Sequence, residues 1–144
     1  MTTVPVPRLA ALLTASAKGY YATEAATQLL IGHEMWLHRS DFLHDCVWLS
    51  TETGDYGCPA SPCELTVDDV AHAFITWDYL PGFLEGAPCS GSEGRILRLV
   101  AELAGHDTAT PLDELLTGLD DHNGALVLVA IAHALGLGQR DSGR

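Results

Sequence analysis

The segment Cys58-Pro-Ala-Ser-Pro-Cys63 carries the most chemistry per residue in this chain. Its two thiols are separated by four residues in a proline-constrained loop. At that spacing both sulfurs can reach one zinc ion, with Cys46, Cys89 or a histidine completing the tetrahedron. No second cysteine pair follows, so zinc is possible here and no cofactor is required. As a redox pair the spacing is wrong, because thioredoxin-type chemistry uses two intervening residues at a helix start.

Acid–histidine pairs form the second candidate set: Glu34/His38, Asp41/His44, Asp69/His72 and Glu102/His106. Three or four residues apart on a helix, such side chains share one face, and helical bundles build metal centres from inward-facing pairs. Asp69 and His72 therefore join Cys58 and Cys63 as possible metal ligands. The plainer role for all of these pairs is a surface ion pair or a helix cap. His33-Glu-Met-Trp-Leu-His38 looks like a metallopeptidase helix and is not one. Its histidines are five apart, about 140° around a helix, so their rings cannot converge on one ion.

Three further features have structural explanations. Asp120-Asp-His-Asn-Gly124 lacks the alternating oxygen ligands of a calcium loop, and helix capping accounts for it. His133, within an apolar stretch, is expected as a core histidine bonded to a backbone carbonyl. Trp36, Trp48 and Trp77 are expected in the core or at its rim, and Trp36 and Trp48 with Tyr20 and Tyr21 would anchor a partner if exposed. No glycine-rich phosphate loop or nucleophile elbow is present.

The elements that must hold these residues read as helical. Apolar residues make up 47% of 144, enough for a buried core, and charged residues only 18%. Leucine and alanine dominate, and no segment shows sustained period-two alternation. Helices are expected over about 7–18, 21–37, 40–50, 67–79, 92–104, 111–117 and 121–135. Loops fall at 51–65 and 81–91, and a frayed tail at 137–144. The last helix is apolar on every side, which suits the middle of a bundle or a subunit interface. The expected fold is thus all-α, a single-domain bundle of six to seven helices with a very apolar C-terminal helix and no sheet.

Charge narrows the function. Nineteen Asp and Glu against seven Lys and Arg give −12, and residues 45–94 hold nine of those acids. From Ser40 to Gly94 there is no Lys or Arg at all. Such a field repels nucleic-acid phosphates and anionic lipid and attracts a basic protein surface. No basic leader followed by an apolar stretch opens the sequence, so a cytoplasmic location is expected, and arginine over lysine suits a GC-rich bacterial genome. These features together suggest a non-enzymatic interaction or regulatory protein, a homodimer that meets a basic partner through Asp68, Asp69 and Asp78. The alternative is a metal-binding helical bundle, possibly a hydrolase or isomerase, using Cys58/Cys63 or the Asp-x-x-His pairs.

Overall fold

A computed structural model describes residues 4–54, 56–57, 69–86 and 91–137, with Tyr56 and Gly57 as backbone only. In order along the chain these form α1 (Val6–Ala17), α2 (Tyr21–His33), α3 (Ser40–Cys46), β1 (Val47–Thr51) and β2 (Tyr56–Gly57). Next come β3 (Val70–Ile75), α4 (Leu80–Gly86), α5 (Gly91–Leu103), α6 (Leu112–Leu116) and α7 (Asp121–Ala134). Short 3-10 turns at Trp36–His38 and Trp77–Tyr79 precede α3 and α4.

The all-α expectation is overturned by a three-stranded antiparallel sheet, ordered β2-β1-β3. Val47 pairs with Ile75, Trp48 with Phe74, Leu49 with Ala73 and Ser50 with His72, before an irregularity between Ser50 and Thr51. The apolar spacing Val70, Ala71, Phe74, Ile75 suits a helix face locally, which is why 67–79 reads as helical. The same residues are β-branched or aromatic in part, and pairing lets Val47, Leu49, Ala73 and Ile75 be buried together. That gain comes from a partner segment more than 20 residues away and leaves little local trace. α1 packs against β3. Arg8 there donates from Nη2 to the Val70 carbonyl at 2.8 Å, occupying an acceptor at the start of the edge strand.

Other boundaries moved for identifiable reasons. α2 stops at His33, four residues before the expected end, because Glu34 takes a left-handed φ of 70°. The reversal delivers Trp36 and Leu37 into the core. Pro81 lies in the first turn of α4, where its missing N–H costs no helical bond, so it starts a helix within the expected loop 81–91.

The buried centre belongs to α2, whose Ala25, Ala26, Leu29 and Leu30 are fully enclosed among α1, α5 and α7. The very apolar central C-terminal helix is therefore also corrected. α7 lies on the outside of α2, burying Val127 and Ala130 while Leu128 and Val129 are 71% and 63% exposed. Its start follows the expectation, with Asp120 Oδ1 accepting from the Asn123 N–H at 2.7 Å.

Trp36 joins α3, α4 and α5. Its ring is wholly buried against Phe42 (5.7 Å between centroids) and Phe83 (6.0 Å), and its Nε1–H donates to the Glu93 carbonyl at 3.2 Å. Trp36→Ala is expected to cost about 3–5 kcal/mol of unfolding free energy, since the surroundings cannot close over so large a void. Urea denaturation measures this, and a loss below about 1 kcal/mol would show that the joint is not where the stability lies.

Candidate functional site

Alternation along β1 and β3 sorts the sheet into two faces. The inner face is core. On the outer face Trp48 and Phe74 are direct cross-strand neighbours, 46% and 43% exposed. His72 follows on the same side of β3, its ring 6.2 Å from that of Phe74. His72 Nε2 lies 4.0 Å from Glu52 Oε1. The outer face thus offers an indole, a phenyl ring and an imidazole on adjacent strands, with a carboxylate from the turn after β1. Flat π faces beside a carboxylate attract guanidinium and ammonium groups through the ring quadrupole and the acid charge together.

Of the sequence-derived candidates, the structure describes Asp69, His72 and Asp78. Cys58, Cys63 and Asp68 lie outside the described residues, as does Cys89. His72 sits on a strand, where residues three apart face opposite sides, so the shared helical face inferred for Asp69 and His72 does not exist. Asp69 is exposed just before β3, and Asp78 is exposed in the turn after it. Among the described residues no three His, Cys, Asp or Glu side chains converge to hold a metal ion.

Asp41, His44 and Glu102, from the remaining acid–histidine pairs, have identifiable partners. Asp41 accepts from Arg39 and from the Phe42 N–H, and these bonds hold its carboxyl below the usual range. His44 Nδ1 meets Asp45 Oδ1 at 2.8 Å. Glu102 accepts from the backbone and hydroxyl of Thr108. Of the expected aromatic anchors, Trp36 is enclosed, while Trp48, Tyr20 and Tyr21 are exposed. Cys46 is buried beneath the sheet, and burial, with Asp45 and Asp41 nearby, pushes its thiol up to about 12. It stays protonated and is a poor nucleophile.

Two polar pairs bind α2 to α7 that spacing could not reveal, because each joins residues about ninety or more positions apart. His33 Nδ1 meets Asn123 Oδ1 at 3.0 Å. His133 Nε2 meets Glu24 Oε1 at 2.8 Å, with the Tyr21 ring edge-on to the imidazole. His133 thus bonds a carboxylate, which the expected carbonyl-bonded core histidine did not anticipate. Glu24 Oε2 also accepts from the Gly19 N–H at 3.2 Å.

Comparison of the chain with protein families, curated proteins and solved structures gives no match. Among the described residues no helix is long and apolar enough to cross a membrane.

The Glu24 contacts set a pH dependence. The hydrogen bond from His133, then that from Gly19, holds the Glu24 carboxyl below its ordinary value of 4.5. Its contribution to stability is fully present above that value and is lost as pH falls through the lowered folded-state value. Glu24→Gln should therefore destabilise the protein at neutral pH and flatten its loss of stability on acidification below about pH 4.5. Thermal melts of both forms across that range measure the difference; parallel curves would remove Glu24 as the cause.

Proposed function

We propose that the protein is a non-catalytic recognition module whose outer sheet face binds a lysine- or arginine-rich segment of a partner protein. The observation that carries this reading is the Trp48–Phe74 pair, nearly half exposed on a sheet face within a stretch that lacks Lys and Arg from 40 to 94. Large aromatic side chains left at the surface serve as anchors, and a surrounding negative field speeds the approach of a basic partner. Charge complementarity supports a cationic peptide over an acidic or purely apolar one, and it argues against nucleic acid.

A second copy of the chain is the other partner, met on α7. Residues 122–139 contain no Asp, Glu, Lys or Arg, so α7 beyond its first residue carries no formal charge. Leu128, Val129, Leu135 and, from α6, Leu112 and Leu116 are exposed there. A shallow apolar cleft of about 470 Å³ runs between the two helices, edged by Asp120 and Asp121. Two chains of charge −12 meet with least repulsion through such a surface, and a two-fold contact uses the same patch twice.

Fluorescence titration with a lysine- and arginine-rich peptide tests the sheet face. Wild type should bind in a salt-dependent manner, and Trp48→Ala should weaken binding about 30-fold, the effect of one aromatic anchor worth about 2 kcal/mol. Combined Asp68→Lys, Asp69→Lys and Asp78→Lys should slow association. Peptide binding that is unchanged in both variants would rule the face out. Light scattering on a sizing column tests the second copy: wild type should elute as a dimer and Leu128→Lys as a monomer. A monomeric wild type would end the dimer reading and leave the sheet face untouched.

A further inference from the structure

Arg95 and Arg98, one turn apart on α5, line an open cleft of about 480 Å³ together with Gly91, the first residue of that helix. α6 and the turn after it form the opposite wall, with Asp113 and Glu114. Two facts make this cleft unlike an ordinary surface groove. The first concerns position. The Arg95 guanidinium folds back towards the start of its own helix and lies against two glycines. A Cβ at Gly118 would stand 3.1 Å from its Nη1, and one at Gly91 would stand 3.9 Å away. Gly118 has a φ of +83°, so the backbone there both permits the turn and leaves room for the guanidinium. A cation is thereby seated at the positive end of a 13-residue helix, where the helix dipole opposes it.

The second fact concerns partners. In a chain with seven Lys and Arg against nineteen acids, a guanidinium should find a carboxylate easily. Arg39 does, on Asp41, and Arg8 is bonded to the Val70 carbonyl. Arg95 and Arg98 make no hydrogen bond or ion pair among the described residues, although Asp113 and Glu114 border the same cleft. Those two acids lie in the first turn of α6, where its free N–H groups already favour negative charge. Two guanidiniums and the first residue of α5 therefore line one wall of the cleft, and Asp113 and Glu114 line the other.

We propose that this cleft binds the phosphoryl group of a small phosphomonoester, with Arg95 and Arg98 gripping its oxygens beside the start of α5. Guanidinium forks match phosphate oxygens in geometry and charge, and helix-opening amides add donors to the same anion. The far wall names the rest of the ligand. The hydroxyl protons of Thr110 and Thr117 are spent on the carbonyls of Thr108 and Asp113. Those hydroxyls, with Asp113 and Glu114, present acceptors only. A ligand that fits carries hydroxyl or amino groups beside its phosphate, and a bare anion meets repulsion on that side.

Amide NMR titration at fixed ionic strength tests this with two probes, glycerol phosphate and inorganic phosphate. The expected result is a saturating shift confined to residues around Gly91, Thr110 and Gly118, with glycerol phosphate the tighter ligand. The pair Arg95→Gln and Arg98→Gln should lower that affinity at least about tenfold, the loss of charge-assisted bonds. If the double variant does not fold, Arg98→Gln alone decides in the same titration. Equal affinity for the two probes would assign the site to free phosphate and overturn the role of the far wall. No localised shift, or affinity unchanged by the arginine variants, would overturn the site itself.

Discussion

Enclosing one indole organises this molecule. Trp36 can be buried only if its N–H is satisfied, and the acceptor is the Glu93 carbonyl in the first turn of α5. That bond fixes where α5 begins relative to the end of α2. Phe42 and Phe83, themselves 5.7 Å apart, bring α3 and α4 onto the same ring system. The Arg39 guanidinium lies 4.7 Å over the indole and is also bonded to Asp41, which in turn accepts from the Phe42 N–H. One side chain thereby sets four helices. β1 follows α3 without a linker, and the Thr76 N–H and hydroxyl both bond the Cys46 carbonyl at that junction, so the sheet inherits its position from the same cluster.

The scarcity of cations explains the charge pattern better than the abundance of acids. Arg39 is occupied with Trp36 and Asp41, and Arg8 with the edge of β3. Lys18 lies close enough to Glu24 to help hold that carboxyl ionised. Arg39 is thus balanced by Asp41, while Arg8 brings one positive charge to the start of β3 within an otherwise acidic field. Self-repulsion of that field is a cost to the compact state. The fold bears it because the stabilising interactions are apolar: the core is a continuous cluster from Leu9 and Leu13 of α1 through Leu29 and Trp36 to Ile96 and Val127.

Helices held by local signals were legible in the sequence. Gly19 and Gly105 adopt the positive φ that their stop positions require, and Asp120 caps α7 as its side-chain chemistry dictates. The sheet was not legible, because its short strands have apolar residues that fit a helical spacing equally well. What decides between the two is pairing between segments distant in sequence, Leu49 with Ala73 for example. The same limit applies to the site. His72, expected on a helix face, lies on a strand face beside Phe74. Trp48 was recognised as an anchor only on the condition of exposure, and a one-residue change of register would have buried it. α7 shows the opposite failure: its composition suggested the centre of a bundle, yet the small residues of α2, Ala25 and Ala26, took that place.

Three titrating groups among the described residues are tied to the packing of the fold. Asp41 is held low by Arg39, Glu24 is held low by His133, and the Cys46 thiol is raised to about 12 by burial. Each of these environments locks a group in one charge state at neutral pH: two carboxylates permanently negative, one thiol permanently neutral. Such groups hold elements in register. The surface left over, aromatic and acidic on the sheet and uncharged on α7, is suited to contact. At neutral pH these three groups keep one charge state each, so the contacts they make persist.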